Sequence, residues 1–243
     1  MTGLLSICII GCKKSKDEVK AYVASGHPSW APIMYNQGDL IQGAGPEIVG
    51  MIFSELGLII SFPYVGSWDI VQEKALSGEI DLIVAAYKTP ERETYMDYSV
   101  SYTTDPVSIF VKNGKAFPFV SWSELVGKKG VVTIGDSYGQ EFDQFIKDSL
   151  TVVSTGSPEE AYNLILNSQA DYFVYALYSG ENFIASNNLK EQIEILSNYV
   201  SSENFHITIS KKSSLVYYLP QINKILERFK KDGTIDRIIK KYK

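Results

Sequence analysis

Apolar residues recur along this chain in two rhythms, one suited to helices and one to strands. Residues 19–23 read as an opening strand that runs into Ser25-Gly26-His27-Pro28-Ser29-Trp30-Ala31-Pro32, a turn-rich loop carrying an aromatic. Gly43 to Pro46 opens a helix over 47–56, with Ile48, Met51, Ile52 and Leu56 on one side. Gly57 closes it, as glycine does just beyond a helix end. Residues 58–64 alternate like a strand, and 68–76 form a second amphipathic helix stopped by Ser77-Gly78. The continuous apolar run 81–86 marks a strand buried on both faces. Strand, helix, strand, helix, strand in this order implies a parallel sheet.

The pattern then restarts. Strands are predicted at 107–111 and 130–134, and Gly135-Asp136-Ser137-Tyr138-Gly139 leads into a helix through Leu150 that Asp136 or Ser137 is suited to cap. A strand at 151–153, a helix over 158–166 and a strand at 171–175 complete a second α/β unit. A late strand at 206–209 is followed by helices over 217–230 and 234–243. Their Ile225, Leu226, Ile235, Ile238 and Ile239 face inward, while Lys224, Arg228, Lys231, Lys240 and Lys241 form a solvated side. The repetition is one of architecture, with no repeated sequence.

Composition narrows the function. With 243 residues, 45% hydrophobic and 21% charged, the chain is long enough for a sizeable core and too apolar for disorder. A net charge of −5 argues against a nucleic-acid partner. His27 and His206 have no ligand partner at a metal-binding spacing, so neither metal nor cofactor is expected. Both cysteines lie in the apolar opening Gly3-Leu4-Leu5-Ser6-Ile7-Cys8-Ile9-Ile10-Gly11-Cys12, which Lys13-Lys14-Ser15-Lys16-Asp17-Glu18 ends abruptly. A run of that length suits the core of a secretory signal and is too short to span a bilayer. Ile9-Ile10-Gly11-Cys12 resembles the bacterial lipobox. The resemblance implies export, a signal over 1–12, lipidation at Cys12 and a tether over 13–18.

Beyond residue 18, four short motifs stand in order: Gly78-Glu79-Ile80-Asp81-Leu82-Ile83, Thr89-Pro90-Glu91-Arg92, Asp97-Tyr98-Ser99 and Asp232-Gly233-Thr234-Ile235-Asp236. Through them the chain resembles the bacterial extracellular solute-binding proteins of family 3, the polar amino-acid type that serves ABC importers. The resemblance implies a two-lobed α/β fold of the Venus-flytrap kind, closing on its ligand. Lobe one would comprise 19–108 plus 206–243 and lobe two 113–201, with hinges near 109–112 and 202–205. It also implies a monomer, held at the membrane by its lipid, that passes a small carboxylate or amino acid to the importer's membrane subunits. Turnover by a cyclohexadienyl or arogenate dehydratase-like enzyme, and a detached ligand-sensing domain, are the competing readings.

In that family the arginine of the second motif clamps the ligand's carboxylate, which makes Arg92 the leading site residue. Thr89 to Arg92 follow a buried strand, at the sheet edge where ligands of open α/β sheets bind. Ser137 stands at the family's second carboxylate contact, and Trp30 and Trp68 match positions that place rings against the ligand. Tyr87, Thr89, Tyr102 and Tyr175 complete the expected lining, with Tyr178 beside them, whereas Trp122 reads as core. Two departures stand out. Tyr87 replaces a small polar contact, and Ala176 stands where amino-acid binders carry the aspartate that holds the α-ammonium. Either another acid substitutes, with Asp69 and Glu47 as candidates, or the ligand lacks an α-amino group. His27 reads as a loop residue.

Overall fold

The structure, a computed structural model, describes residues 21–242. The apolar opening, Cys12, the tether and the first two residues of the expected opening strand lie outside the described residues. The first unit runs β1 (Ala21–Ser25), β2 (Ser29–Trp30), β3 (Met34–Gln37), β4 (Leu40–Gln42), α1 (Ala44–Leu56), β5 (Ile59–Ser61), α2 (Trp68–Ser77), β6 (Leu82–Ala86) and α3 (Pro90–Glu93). The small antiparallel sheet β2-β3-β4 went unseen in the pattern, since its strands are two to four residues long. Helix α1 begins three residues before the expected Glu47. Its first-turn N–H groups of Ala44 and Gly45 donate to the carbonyls of Pro32 and Ile33, and Pro46 has no N–H to satisfy. Gly43 precedes it at φ 122°, where a Cβ would strike the Ile33 carbonyl.

Strand β7 (Met96–Lys112) leads into the second unit. There follow β8 (Lys129–Thr133), α4 (Gln140–Ser149), β9 (Thr151–Thr155), α5 (Pro158–Leu166), β10 (Tyr172–Ala176), α6 (Leu177–Ser186) and β11 (Ile193–Ile195). The chain returns through β12 (Ser201–Ser210) to α7 (Leu219–Lys231) and α8 (Thr234–Tyr242). Neither Asp136 nor Ser137 caps α4, which starts at Gln140 behind Gly139 at φ 98°. The helix expected from Tyr217 is divided. A 3-10 turn covers Ser214–Tyr218, and α7 starts at Leu219 because Pro220 suits a first helical turn.

The fold is two-lobed. Strand order β5-β1-β6-β12-β7-β10-β8-β9 forms one ladder, with β1, β5 and β6 mutually parallel at one end and β8, β9 and β10 parallel at the other. The antiparallel pair β7 and β12 joins the ends. Helices cover both faces of each end. In the first, Ile48, Ile52 and Phe53 of α1 pack with Ile222, Leu226 and Ile238 of α7 and α8, and α2 covers the opposite face through Val71 and Ala75. In the second, Val107, Ile109 and Val111 face α4 while Phe110 faces α5 and α6, the alternation a strand imposes.

The stretch 109–112, expected as a hinge, pairs along the second lobe's sheet. Phe110 pairs with Phe173 and with Ile195, so that stretch sits inside the second lobe's sheet, and Ile109, Phe110 and Val111 are fully buried. The crossing segment of β7 is 103–106, opposite 202–205 of β12.

Candidate ligand-binding cleft

The C-terminal ends of β1 and β6 face those of β8 and β10, and the loops leaving them meet between the lobes. Arg92 is presented by α3, where Thr89 Oγ1 accepts the Arg92 N–H at 3.2 Å and caps the short helix. Arg92 is buried at 5% exposure, and its guanidinium donates to neutral partners. Its Nε donates to Gln72 Oε1 at 2.9 Å, Nη1 to the Tyr87 carbonyl at 3.2 Å and Nη2 across the cleft to the Gly135 carbonyl at 3.2 Å. The Trp68 ring lies 5.1 Å away, within cation–π reach. Trp68 Nε1 donates to the same Gly135 carbonyl at 3.0 Å.

A ring cluster lies deeper. Trp30, Tyr87 and Phe205 stack edge and tilt with centroids 4.7–5.8 Å apart, and Tyr175 approaches Trp30 from the second lobe at 6.0 Å. Trp30 is buried, although its loop looked polar. Its indole N–H donates to Asp105 on β7 at 3.2 Å, and Asp105 also accepts from Tyr178 N at 3.4 Å. Tyr175 donates its hydroxyl to the Ser29 carbonyl at 2.6 Å, a second bond between the lobes. Burial, with the negative fields of Asp105 and Asp136, pushes the Tyr87 hydroxyl well above its ordinary pKa; that hydroxyl has no hydrogen-bond partner.

Other expected residues sit differently. Tyr102 belongs to the first lobe's core, where its hydroxyl donates to the Val84 carbonyl at 3.1 Å. Ser137 Oγ donates to Asp143, so toward the cleft it offers an acceptor rather than a proton. Burial raises the Asp143 carboxyl above the usual range. Trp122 packs on Phe142 and Phe145 in the second lobe.

Neither acid offered as a substitute for the missing aspartate reaches the cleft's interior. Glu47 is held on the surface by Lys241 and Tyr242, and the Asp69 side chain is tied to Ser67 at the start of α2. The acids buried at the cleft are Asp105 and, through its side chain, Asp136. His27 is also more than a loop residue: it is 2% exposed, its ring lies 4.9 Å from Trp30 and 5.4 Å from Trp68, and its Nε2 stands 3.2 Å from Asp136 Oδ1. The signals for His27 and Asp136 were weak, a lone histidine and a residue that suited a helix cap. Outside these contacts the mouth of the cleft opens into a groove of about 780 Å³, lined by Gln72, Thr89, Arg92, Thr133 and Ser137 among others. Among the described residues no group of His, Cys, Asp and Glu is arranged to hold a metal ion.

A two-lobed fold with a buried arginine at the meeting of strand ends defines a solute-binding architecture. Residues 23–243 match the family described as bacterial extracellular solute-binding proteins, family 3, and the chain belongs to it. It is 22% identical over 216 residues to the L-cystine-binding protein TcyA of Bacillus subtilis, covering 88% of this chain and 78% of that protein. Among solved structures, a mutant of ArgBP from T. maritima aligns with a TM-score of 0.76 at 24% identity, over 91% of this chain and 94% of the other. A histidine kinase sensor domain similar to periplasmic binding proteins aligns with a TM-score of 0.80 at 20% identity, over 93% and 97%. At these identities the two structures speak for the fold alone. The chain is a solute-binding protein of an exported family, set among binding proteins rather than enzymes.

Proposed function

We propose that this protein is the lipid-anchored, monomeric substrate receptor of an ABC importer, capturing an amino acid or a related small carboxylate by closure of its lobes. The observation that carries the reading is Arg92, a buried guanidinium at the lobe junction whose cross-cleft partner is a mere backbone carbonyl. A ligand carboxylate offers the same fork two charged oxygens, a stronger and bidentate partner. Trp68, stacked on the guanidinium, would hold its plane against the ligand, while Thr89 fixes the turn that carries it. Trp30, Tyr87 and Tyr175 would form the apolar wall of the site and Ser137 its rim. The lobes would move about 103–106 and 202–205, where the two crossing strands pair only with each other or along the lobe border.

A thermal-shift screen against amino acids, their deaminated analogues and other small carboxylates tests the reading. A ligand at a hundred times its dissociation constant adds about 2.7 kcal/mol. At this length that raises the melting point by roughly 5–10 °C. Arg92→Ala is expected to weaken binding by about 10- to 100-fold through loss of charged hydrogen bonds, which at the same ligand concentration cuts the stabilisation to about 0.4–1.4 kcal/mol and the shift to roughly 1–6 °C. Retention of the full shift in that variant would remove Arg92 from the site. The anchor is tested separately. Cys12→Ala in cells should abolish incorporation of labelled fatty acid and release the protein from the membrane fraction, and continued labelling would refute lipidation at Cys12.

A further inference from the structure

We infer that Asp136 is the acid that receives the ligand's α-ammonium, in place of the aspartate absent at Ala176, so that the ligand is an α-amino acid rather than a deaminated acid. This deepens the proposed function and rests on it. The other acids close to the ring cluster and the Arg92 groove have partners of their own: Asp105 accepts from Trp30 and Tyr178, Asp143 from Ser137 and the Tyr138 N–H, and Asp69 from Ser67. The Asp136 side chain is fully buried, and neither of its oxygens has a well-directed hydrogen bond. A buried carboxylate in that state is costly unless a cation meets it.

The neighbour at hand is a poor cation. His27 Nδ1 accepts the Ser29 N–H at 3.0 Å, which assigns the ring's proton to Nε2 and leaves the imidazole neutral. Its Nε2 stands 3.2 Å from Asp136 Oδ1 but is poorly aligned, and it too lacks a hydrogen-bond partner. The charge of Asp136 also reaches the buried hydroxyls of Tyr87, itself unpartnered, Tyr175 and Tyr138, and disfavours their ionisation. The surroundings of the carboxylate are rich in aromatic rings and lie beside the open groove that Asp136 helps to line, a setting that suits an ammonium.

The two polar contacts across the cleft resemble the two halves of a zwitterion. The Gly135 carbonyl occupies Arg92 as a carboxylate oxygen would, and the His27 N–H faces Asp136 as an ammonium would. Gly135 and Asp136 are adjacent in the chain, so the guanidinium and the acid are offered to neighbouring groups of one small molecule. Arriving ligand would replace both contacts at once, exchanging a neutral acceptor and a neutral donor for charged ones.

The experiment compares each amino acid that binds with its deaminated analogue, by calorimetry, in the wild type and in Asp136→Asn. The wild type is expected to prefer the ammonium-bearing partner by about 10- to 100-fold, and Asp136→Asn to lose that preference. Far-UV dichroism and the melting transition of the variant establish that it folds. If the amide is not tolerated, Asp136→Ser serves the same comparison. An unchanged preference in the folded variant overturns the inference, as does loss of the preference in Asp105→Asn alone. Binding of deaminated acids only, with Arg92 still required, overturns the inference and leaves the proposed function standing. Binding of no carboxylate at all overturns both.

Discussion

At the scale of single residues, charge and burial decide which side chains can act. The place of Arg92 at the junction of the lobes was legible because its motif follows a buried strand, whereas the meeting of His27 and Asp136 was not, since it joins residues 109 positions apart. His206 offers a test of burial alone. Its Nδ1 lies 2.7 Å from the Ser99 carbonyl, and desolvation lowers its pKa from 6.5, with Lys88 and Lys230 adding to the effect. The unfolded chain then takes up the proton first as pH falls, so the stability His206 contributes is present above about pH 6.5 and drains away through its lower folded value. Asp143 and Glu203 shift upward and act in the opposite sense, adding stability on the acid side. The readout is therefore a difference. The stability gap between wild type and His206→Asn should change in favour of the variant between about pH 7.5 and about pH 5, and a constant gap would show that His206 titrates as in the unfolded chain.

At the scale of elements, tertiary contact overrides local preference. Helix α6 did not register in the apolar pattern, because Leu177–Ser186 mixes small, polar and aromatic residues without a clean stripe. Gly180 explains part of this. It lies against the fully buried ring of Phe110, and a Cβ there would meet three ring atoms far inside van der Waals contact. Helix propensity alone favours alanine over glycine by about 1 kcal/mol. Overpacking of a filled core costs about 1–3 kcal/mol, so Gly180→Ala is expected to lower the melting temperature, by up to about 8 °C. A rise in melting temperature would mean that Phe110 turns aside and that propensity wins.

At the scale of the molecule, the lobes touch through few groups: Arg92 and Trp68 on Gly135, Tyr175 on Ser29, and His27 beside Asp136. These contacts are polar and cleft-bound, and beside them the Tyr175 ring approaches Trp30 and Ala176 packs into the first lobe's core. The three tryptophans are placed to report on ligand entry, with Trp30 and Trp68 at the cleft and Trp122 in the second lobe's core. Ligand-induced change in intrinsic fluorescence should persist in Trp122→Phe and largely vanish in a variant lacking Trp30 and Trp68. Survival of the signal in that double variant would locate the conformational change outside the cleft.

Periodicity sufficed for the helices and strands that bury one face or both, because an element's burial pattern is written in its own residues. The run 158–166 emerged as α5 without adjustment, and 81–86 proved buried along the whole of β6. Short β2, β3 and β4 escaped for want of length, and the late start of α4 escaped because two glycines at positive φ extend the loop before it. Only tertiary structure could give the crossing segments their place or bring Asp136 to His27. Both depend on register and on the approach of two lobes, which no local pattern of apolar and polar residues encodes.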